Sequence, residues 1–316
     1  MYRLKPKRFA SACVLAGISV LAAAAEPITV GAPLAAVNEA GETVPISPNV
    51  KVFGSFHFAE SCTYDPARDL VLVMNAGVRR GDAAQRADGY VSLINPDGSV
   101  HTAKWIGAER TGLDLNDPLG SAIADGILYT VDGEFVRRFD LDSGQPLEAT
   151  RVEGSTFLNG IAVAADGTLY VSNTRPSSRL YRITPDGRVD LLLEGAPLAA
   201  PNGVAMDPDG NPVVVNIDDD AVLTFDREGT LLRTERAAQK GSDGLVIVPD
   251  GTKYVSSVRH GSVSRIRPGQ DAEVIARGIP SAASMCHDSR RNQLVIPMNP
   301  NNAIALVPLS GAPALP

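Results

Sequence analysis

From about residue 60 onward, short apolar runs alternate with turn signals, and one frame of that pattern recurs along the chain. Leu158-Asn159-Gly160-Ile161-Ala162-Val163-Ala164-Ala165-Asp166-Gly167 is followed by Pro201-Asn202-Gly203-Val204-Ala205-Met206-Asp207-Pro208-Asp209-Gly210. A third copy reads Ser242-Asp243-Gly244-Leu245-Val246-Ile247-Val248-Pro249-Asp250-Gly251. In each, a polar residue stands seven positions before an Asp-Gly turn, and these lead residues are spaced 43 and 41 residues apart. The apolar run between them is too short for a helix, so two strands joined by a tight turn fit it better.

The same register extends outward from these copies. Counting seven back from the Pro66–Arg68 turn gives Glu60, and counting seven back from Asp125-Gly126 gives Pro118. The last unit has Ala282 or Ala283 at its lead position. Second turns follow at Pro96-Asp97-Gly98, Asp142-Ser143-Gly144, Pro185-Asp186-Gly187, Arg227-Glu228-Gly229 and Pro268-Gly269. Six units of about forty residues, each with four short strands, predict an all-β six-bladed β-propeller over residues 51–310. A β-sandwich also alternates strands and turns, but does not require one register repeated six times. Residues 51–58 are expected to complete the last blade, and 26–50, rich in Pro and Ala, to lie on the surface as an N-terminal segment.

The first strand of each blade should line the channel, which would gather Glu60, Asn159, Asn202 and Asp243 at one end of it. Two carboxylates and two amides form an all-oxygen set suited to a hard divalent cation, most naturally Ca²⁺. It lacks the His and Cys of a typical zinc site. The competing reading treats each Asn-Gly or Asp-Gly as a tight turn. A hairpin turn already stands seven residues on, however. Fourteen residues past the lead positions the chain returns to the same end, at Asp132, Asn173, Asn216 and Ser257, with Asn75 one step further in the first unit. These five are candidate substrate-binding residues, with strand-end capping as the alternative. His57 and His260 could also reach the mouth, with a structural or exposed position as the alternative. The loop 76–88, with Arg79, Arg80 and Arg86, is either a lid or a solvated insertion, and Asp218-Asp219-Asp220 reads as an exposed acidic turn.

The amino terminus changes the picture of where the chain works. Arg3, Lys5, Lys7 and Arg8 precede an apolar run from Phe9 to Ala22 and a small-residue stretch ending at Ala25. Residues 1–25 therefore read as a secretory signal peptide, with a retained anchor as the alternative, and the mature chain is expected in the periplasm or secreted. Without them the balance is 25 basic against 36 acidic residues, or −11. Such an acidic surface disfavours nucleic acid and anionic membrane. The expected mature chain has no membrane span and acts as a monomer on a small molecule. Cys62 and Cys286 are too few for a disulfide framework, and by register they fall on opposite faces of their strands, so two buried thiols are expected.

Leu158-Asn159-Gly160 with Leu169-Tyr170-Val171-Ser172-Asn173, Pro201-Asn202-Gly203, Ser242-Asp243-Gly244 and the early Glu60 resemble the SMP-30/gluconolactonase/LRE-like family over about residues 52–309. Strictosidine-synthase-like and paraoxonase-like proteins are similar at greater distance. The resemblance implies a six-bladed propeller with a divalent metal at the channel mouth and hydrolysis of a lactone or related ester. It implies that Glu60, Asn159, Asn202 and Asp243 hold the metal, with Asp243 as the base for the attacking water and Glu60 beside it. In sugar-lactonase members an Arg lies two residues before the first Asn and an Asp often follows it. Here those positions are Phe157 and Gly160, which points away from a sugar lactone. No Gly-x-Ser-x-Gly or His-Glu-x-x-His is present, which argues against a serine hydrolase or a zincin. The alternative function is a non-catalytic propeller that binds a protein, peptide or small ligand, with structural Ca²⁺ in its channel, and a lyase of the strictosidine-synthase type stands third.

Overall fold

In a computed structural model the described residues are 35–37, 43–77, 87–108 and 113–309. The signal-peptide expectation for 1–25 and the basic residues Arg79, Arg80 and Arg86 of the proposed lid lie outside them. The described chain forms six four-stranded antiparallel sheets, five of them in sequential strand order, arranged as a β-propeller. Blade 1 comprises Ala59–Asp65, Leu70–Asn75, Tyr90–Ile94 and Val100–Gly107; blade 2, Pro118–Ala124, Ile127–Asp132, Phe135–Asp140 and Thr150–Arg151. Blade 3 is Leu158–Val163, Leu169–Asn173, Arg179–Ile183 and Val189–Glu194; blade 4, Pro201–Met206, Pro212–Asn216, Ala221–Phe225 and Leu231–Arg236. Blade 5 is Ser242–Ile247, Lys253–Ser257, Ser262–Ile266 and Glu273–Arg277. Blade 6 contains Cys286–Asp288, Gln293–Met298 and Ala303–Pro308, and its outermost strand is Lys51–Phe53 from the amino-terminal side. Six sheets of four strands exclude the two-sheet sandwich. Among the described residues no helix is long and apolar enough to cross a membrane.

The turns form for a local reason. Asp166, Asp207 and Asp250 each accept a backbone N–H two residues on through Oδ1, at 2.8–3.0 Å, and Gly167 supplies the positive φ (84°) that closes the turn. Packing is between blades rather than within one central core. Six apolar clusters fill the six interfaces, for example Leu119, Val131, Leu158, Ile161 and Val171 between blades 2 and 3.

The first strands touch one another around the ring, and their approach explains the glycine that follows the lead residue in blades 2 to 5. A Cβ at Gly160 would lie 2.1 Å from the Asn202 carbonyl oxygen, and one at Gly203 would lie 2.5 Å from that of Asp243. The glycine is therefore required by the neighbouring blade, as close backbone approach demands. Blade 1 has Ser61 at this position, and its Oγ donates to the Leu119 carbonyl at 2.6 Å. Ser284 N closes the ring by donating to the Glu60 carbonyl at 3.2 Å.

One sequence expectation is corrected and one open choice is decided. Pro118 pairs with Asp132 as Leu158 pairs with Asn173, so the lead residue of blade 2 is Leu119, not Pro118. The cause is its hairpin: Ala124 pairs directly with Ile127 across a two-residue turn, tighter than the Val163–Leu169 turn of blade 3. Counting back from the turn therefore slips. In blade 6 the bridge between Ala282 and Met298 selects Ala283 as lead.

Cys62 and Cys286 are bonded to each other, with Cα atoms 5.4 Å apart and 224 residues of sequence between them. Opposite strand parity, taken above as evidence against pairing, is what neighbouring blades require. In a ring of equivalent sheets, a side chain pointing forward from one blade meets one pointing backward from the next. Ahead of the propeller, Ala35–Val37 pairs with Thr43–Pro45, and Ser47 N donates to the Arg277 carbonyl at 3.2 Å, tying this segment to the rim of blade 5.

Candidate metal centre at the channel mouth

Each lead residue sits in a β-bulge. In blade 3 Leu158 pairs with Asn173 and Ile161 with Val171, so two residues, Asn159 and Gly160, oppose only Ser172. The same irregularity falls at Glu60 in blade 1, between Pro201 and Val204, and between Ser242 and Leu245. A bulge turns a side chain away from strict alternation, and bulges are common beside active sites. Here the second strand secures it: Gly160 N donates to Ser172 Oγ at 2.8 Å, and that hydroxyl donates to the Asn202 carbonyl at 2.6 Å. Ser256 does the same between Gly244 N and the Ala283 carbonyl.

The lead row thus reads Glu60, Leu119, Asn159, Asn202, Asp243 and Ala283, and all six are buried. Asn202 Nδ2 donates to Asp243 Oδ2 at 3.2 Å. Glu60 Oε2 accepts from Asn299 Nδ2 at 3.1 Å, a residue that repeat counting did not reach. Asn299 opens the short 3-10 turn Asn299–Asn301 that follows the second strand of blade 6, outside the repeated frame. The Asn-Pro-Asn-Asn cluster there was a sequence signal for a turn only.

Several acceptor oxygens of this cluster lack a donor, and the neighbouring Ser242 hydroxyl is also buried without a partner among the described residues. Asn202 Oδ1, Asp243 Oδ1 and Asn299 Oδ1 are buried with no hydrogen-bond partner among the described residues. Buried acceptors left without donors are rare, and each calls for an explanation. Burial pushes the Asp243 carboxyl up to about 7, against which the Asn202 amide acts in the opposite direction. A carboxylate held out of water, beside oxygens that lack donors, is an environment completed by positive charge. Oxygen-only donors with limited net charge match a hard cation such as Ca²⁺, and Glu60, Asn159, Asn202 and Asp243 are the residues that fit it. Among the described residues no group of three His, Cys, Asp or Glu could hold a metal, so any ion here depends on amide oxygens.

The second ring of candidates is placed at the same end, one strand outward, and its polar atoms are largely engaged by backbone. Asn173 Oδ1 accepts from Thr156 N and Phe157 N at 2.9 Å, and Asp132 Oδ1 accepts from Asn116 N and Asp117 N. Asn75 Oδ1 accepts from His57 N at 3.1 Å, while Ser257 Oγ donates to the Lys240 carbonyl and accepts from His260 N. These contacts brace the loops that lead into the channel strands. Asn216 differs, since its Oδ1 is buried without a partner among the described residues. His57 is exposed and His260 half-buried, and their backbone N–H groups make the contacts just named. The acidic turn is occupied: Asp218 Oδ1 accepts from Arg175 and Arg259 at 2.9 Å, Asp219 caps Ala221 N, and Asp220 pairs with Arg236.

Two positions before the lead row, blades 1 to 3 present Phe58, Asp117 and Phe157. Both rings are half-buried and pack on the cluster that contains Leu119 and Ala76. Apart from Asp117, the mouth is therefore apolar on the blade 2 side, where the lead residue offers no donor. Blades 1, 3, 4 and 5 bring the oxygen-bearing lead residues.

Fold and site together define a six-bladed propeller with an oxygen-donor centre in its channel. The family model of the SMP-30/gluconolactonase/LRE-like region matches residues 58–296, and the chain belongs to that family. No curated protein matches the sequence. Among solved structures, a gluconolactonase from Xanthomonas campestris is 18% identical, with a TM-score of 0.61 over 88% of this chain and 98% of that one. A putative gluconolactonase is also 18% identical, with a TM-score of 0.60 over 83% and 93% of the two chains. Virginiamycin B lyase from Staphylococcus aureus, solved with quinupristin, is 13% identical with a TM-score of 0.59 over 82% and 99%. At these identities the similarity shows a shared fold.

Proposed function

We propose that this chain is an exported, metal-dependent hydrolase that opens a lactone or related ester bearing an apolar substituent. The observation that supports this reading is the buried cluster of Glu60, Asn159, Asn202 and Asp243, in which acceptor oxygens lack donors and a carboxyl is pushed up toward neutrality. A divalent cation held there would polarise the substrate carbonyl and stabilise the developing oxyanion. Asn202 Nδ2 fixes Oδ2 of Asp243, which leaves Oδ1 to take the proton of the attacking water. Glu60, which accepts from Asn299 Nδ2, is the second carboxyl of the cluster. Leu119, Phe58 and Phe157 would take the apolar part of the substrate and exclude water on that side.

The Cys62–Cys286 bond supports export, because such bonds persist in oxidising compartments, and it agrees with the basic-then-apolar amino terminus. The test is a panel of alkyl-substituted lactones, sugar lactones and aryl esters, assayed with Ca²⁺, Mn²⁺, Zn²⁺ or chelator on wild type and Asp243→Ala. Turnover that requires metal, favours alkyl lactones and is lost in the variant is expected. A melting temperature raised by Ca²⁺ with no turnover of any substrate would leave the non-catalytic binding propeller as the reading. Fractionation of the producing cell checks the location.

A further inference from the structure

We infer that Asn299 is a fifth protein oxygen donor to the cation, supplied by blade 6 from outside the repeated frame; this rests on the cation-binding reading of Glu60, Asn159, Asn202 and Asp243. The lead residue of blade 6 is Ala283, which has nothing to offer a metal. One residue past the second strand of that blade, Asn299 is 8% exposed, and in blades 1 to 5 the same place holds Ala76, Gly133, Thr174, Ile217 and Val258. None of those brings an amide. The side chain is oriented by Glu60, because Nδ2 donates to Oε2 at 3.1 Å and the reversed amide would set a carbonyl oxygen against a carboxylate oxygen. Its Oδ1 is consequently fixed beside the Glu60 carboxylate, buried, with no donor among the described residues.

Among the lead residues and the Asn299 turn, three oxygens now share that condition: Oδ1 of Asn202, of Asp243 and of Asn299. All are acceptors, and two of them belong to residues already assigned to the cation. Ca²⁺ takes about six to eight oxygens, so four lead residues alone leave several positions to water. Asn299 adds one more, from an unrepeated segment that reaches Glu60. Among the described residues blade 2 then remains the one blade that brings no donor from its lead row or the turn beyond its second strand, and Leu119 there leaves an apolar approach for the substrate.

The experiment uses Tb³⁺ as a luminescent substitute for Ca²⁺ on the full disulfide-bonded chain, with lifetimes in H₂O and D₂O counting coordinated waters and Ca²⁺ competition giving affinity. In Asn299→Leu the count should rise by about one and Ca²⁺ affinity should fall about 10- to 100-fold. Asn299→Asp, which keeps an oxygen at the same place, should bind at least as tightly as wild type with no added water. Ion-free melting of each variant establishes that it folds. Unchanged water count and affinity in Asn299→Leu overturn the inference, and an Asn299→Asp as weak as Asn299→Leu would reduce the residue to a donor that holds Glu60. A wild type that binds neither ion overturns the cation reading itself, and this one with it.

Discussion

Asp243→Asn separates the cost of the site from its use. With metal removed, burial sets the Asp243 carboxyl at about 7 against 3.8 when unfolded, even with the Asn202 amide donating to it. A folded pKa raised above the unfolded one means that the folded state holds its proton more tightly. The stability this provides is complete below about pH 3.8 and is lost as pH rises through about 7. The difference of roughly three units corresponds to about 4 kcal/mol, spread over that window at up to about 1.4 kcal/mol per pH unit. The amide of the variant cannot ionise in this range, yet it fills the same space. Urea unfolding in chelator, from pH 4.5 to 8, should therefore show the variant gaining on wild type as pH rises, by about 3 kcal/mol across that range. Saturating Ca²⁺ should restore the wild type and do little for the variant. The same titration requires Ca²⁺ binding to expel a proton, so affinity should rise about tenfold per pH unit below 7. Parallel stability curves for the two proteins across the whole range would refute the reasoning, since they would place the carboxylate in contact with solvent or donors that the structure does not provide.

Breaking the Cys62–Cys286 bond with Cys62→Ser/Cys286→Ser frees a 224-residue loop, for which chain entropy sets a limit of about 5 kcal/mol; a measured loss of about 2–5 kcal/mol in denaturant unfolding is expected, and no loss would mean the ring is closed by its strands alone. Gly160→Ala would drive a methyl to 2.1 Å from the Asn202 carbonyl, so it should destabilise by roughly 1–3 kcal/mol and weaken Ca²⁺ binding in a melting-temperature titration; a neutral result would show the two blades can separate. Phe157→Arg should lower kcat/KM for alkyl-substituted lactones more than for sugar lactones, and an equal effect on both would remove the apolar wall from substrate selection.

The repeat was legible because local physics wrote it. Asp-Gly turns such as Asp166-Gly167 close through their own side chains and φ angles, and alternating apolar residues make strands wherever they are placed. With a constant spacing, these features determine six four-stranded units and place Glu60, Asn159, Asn202 and Asp243 at equivalent positions. Even so, one turn shortened in blade 2 was enough to mistake Pro118 for Leu119, because counting from a turn assumes equal turns. Contacts between blades followed from no local rule. The disulfide depended on how neighbouring sheets face each other, which reversed the parity argument for Cys62 and Cys286. Asn299 lies 239 residues from Glu60, in a turn outside the repeated frame, and only closure of the ring joins them. What the sequence determined was each unit and its register, since these depend on neighbours along the chain. What tertiary structure alone decided was the bulged aim of the lead residues, the oxygens left without donors and the partner of Glu60, since burial and hydrogen bonding are properties of groups brought together across blades.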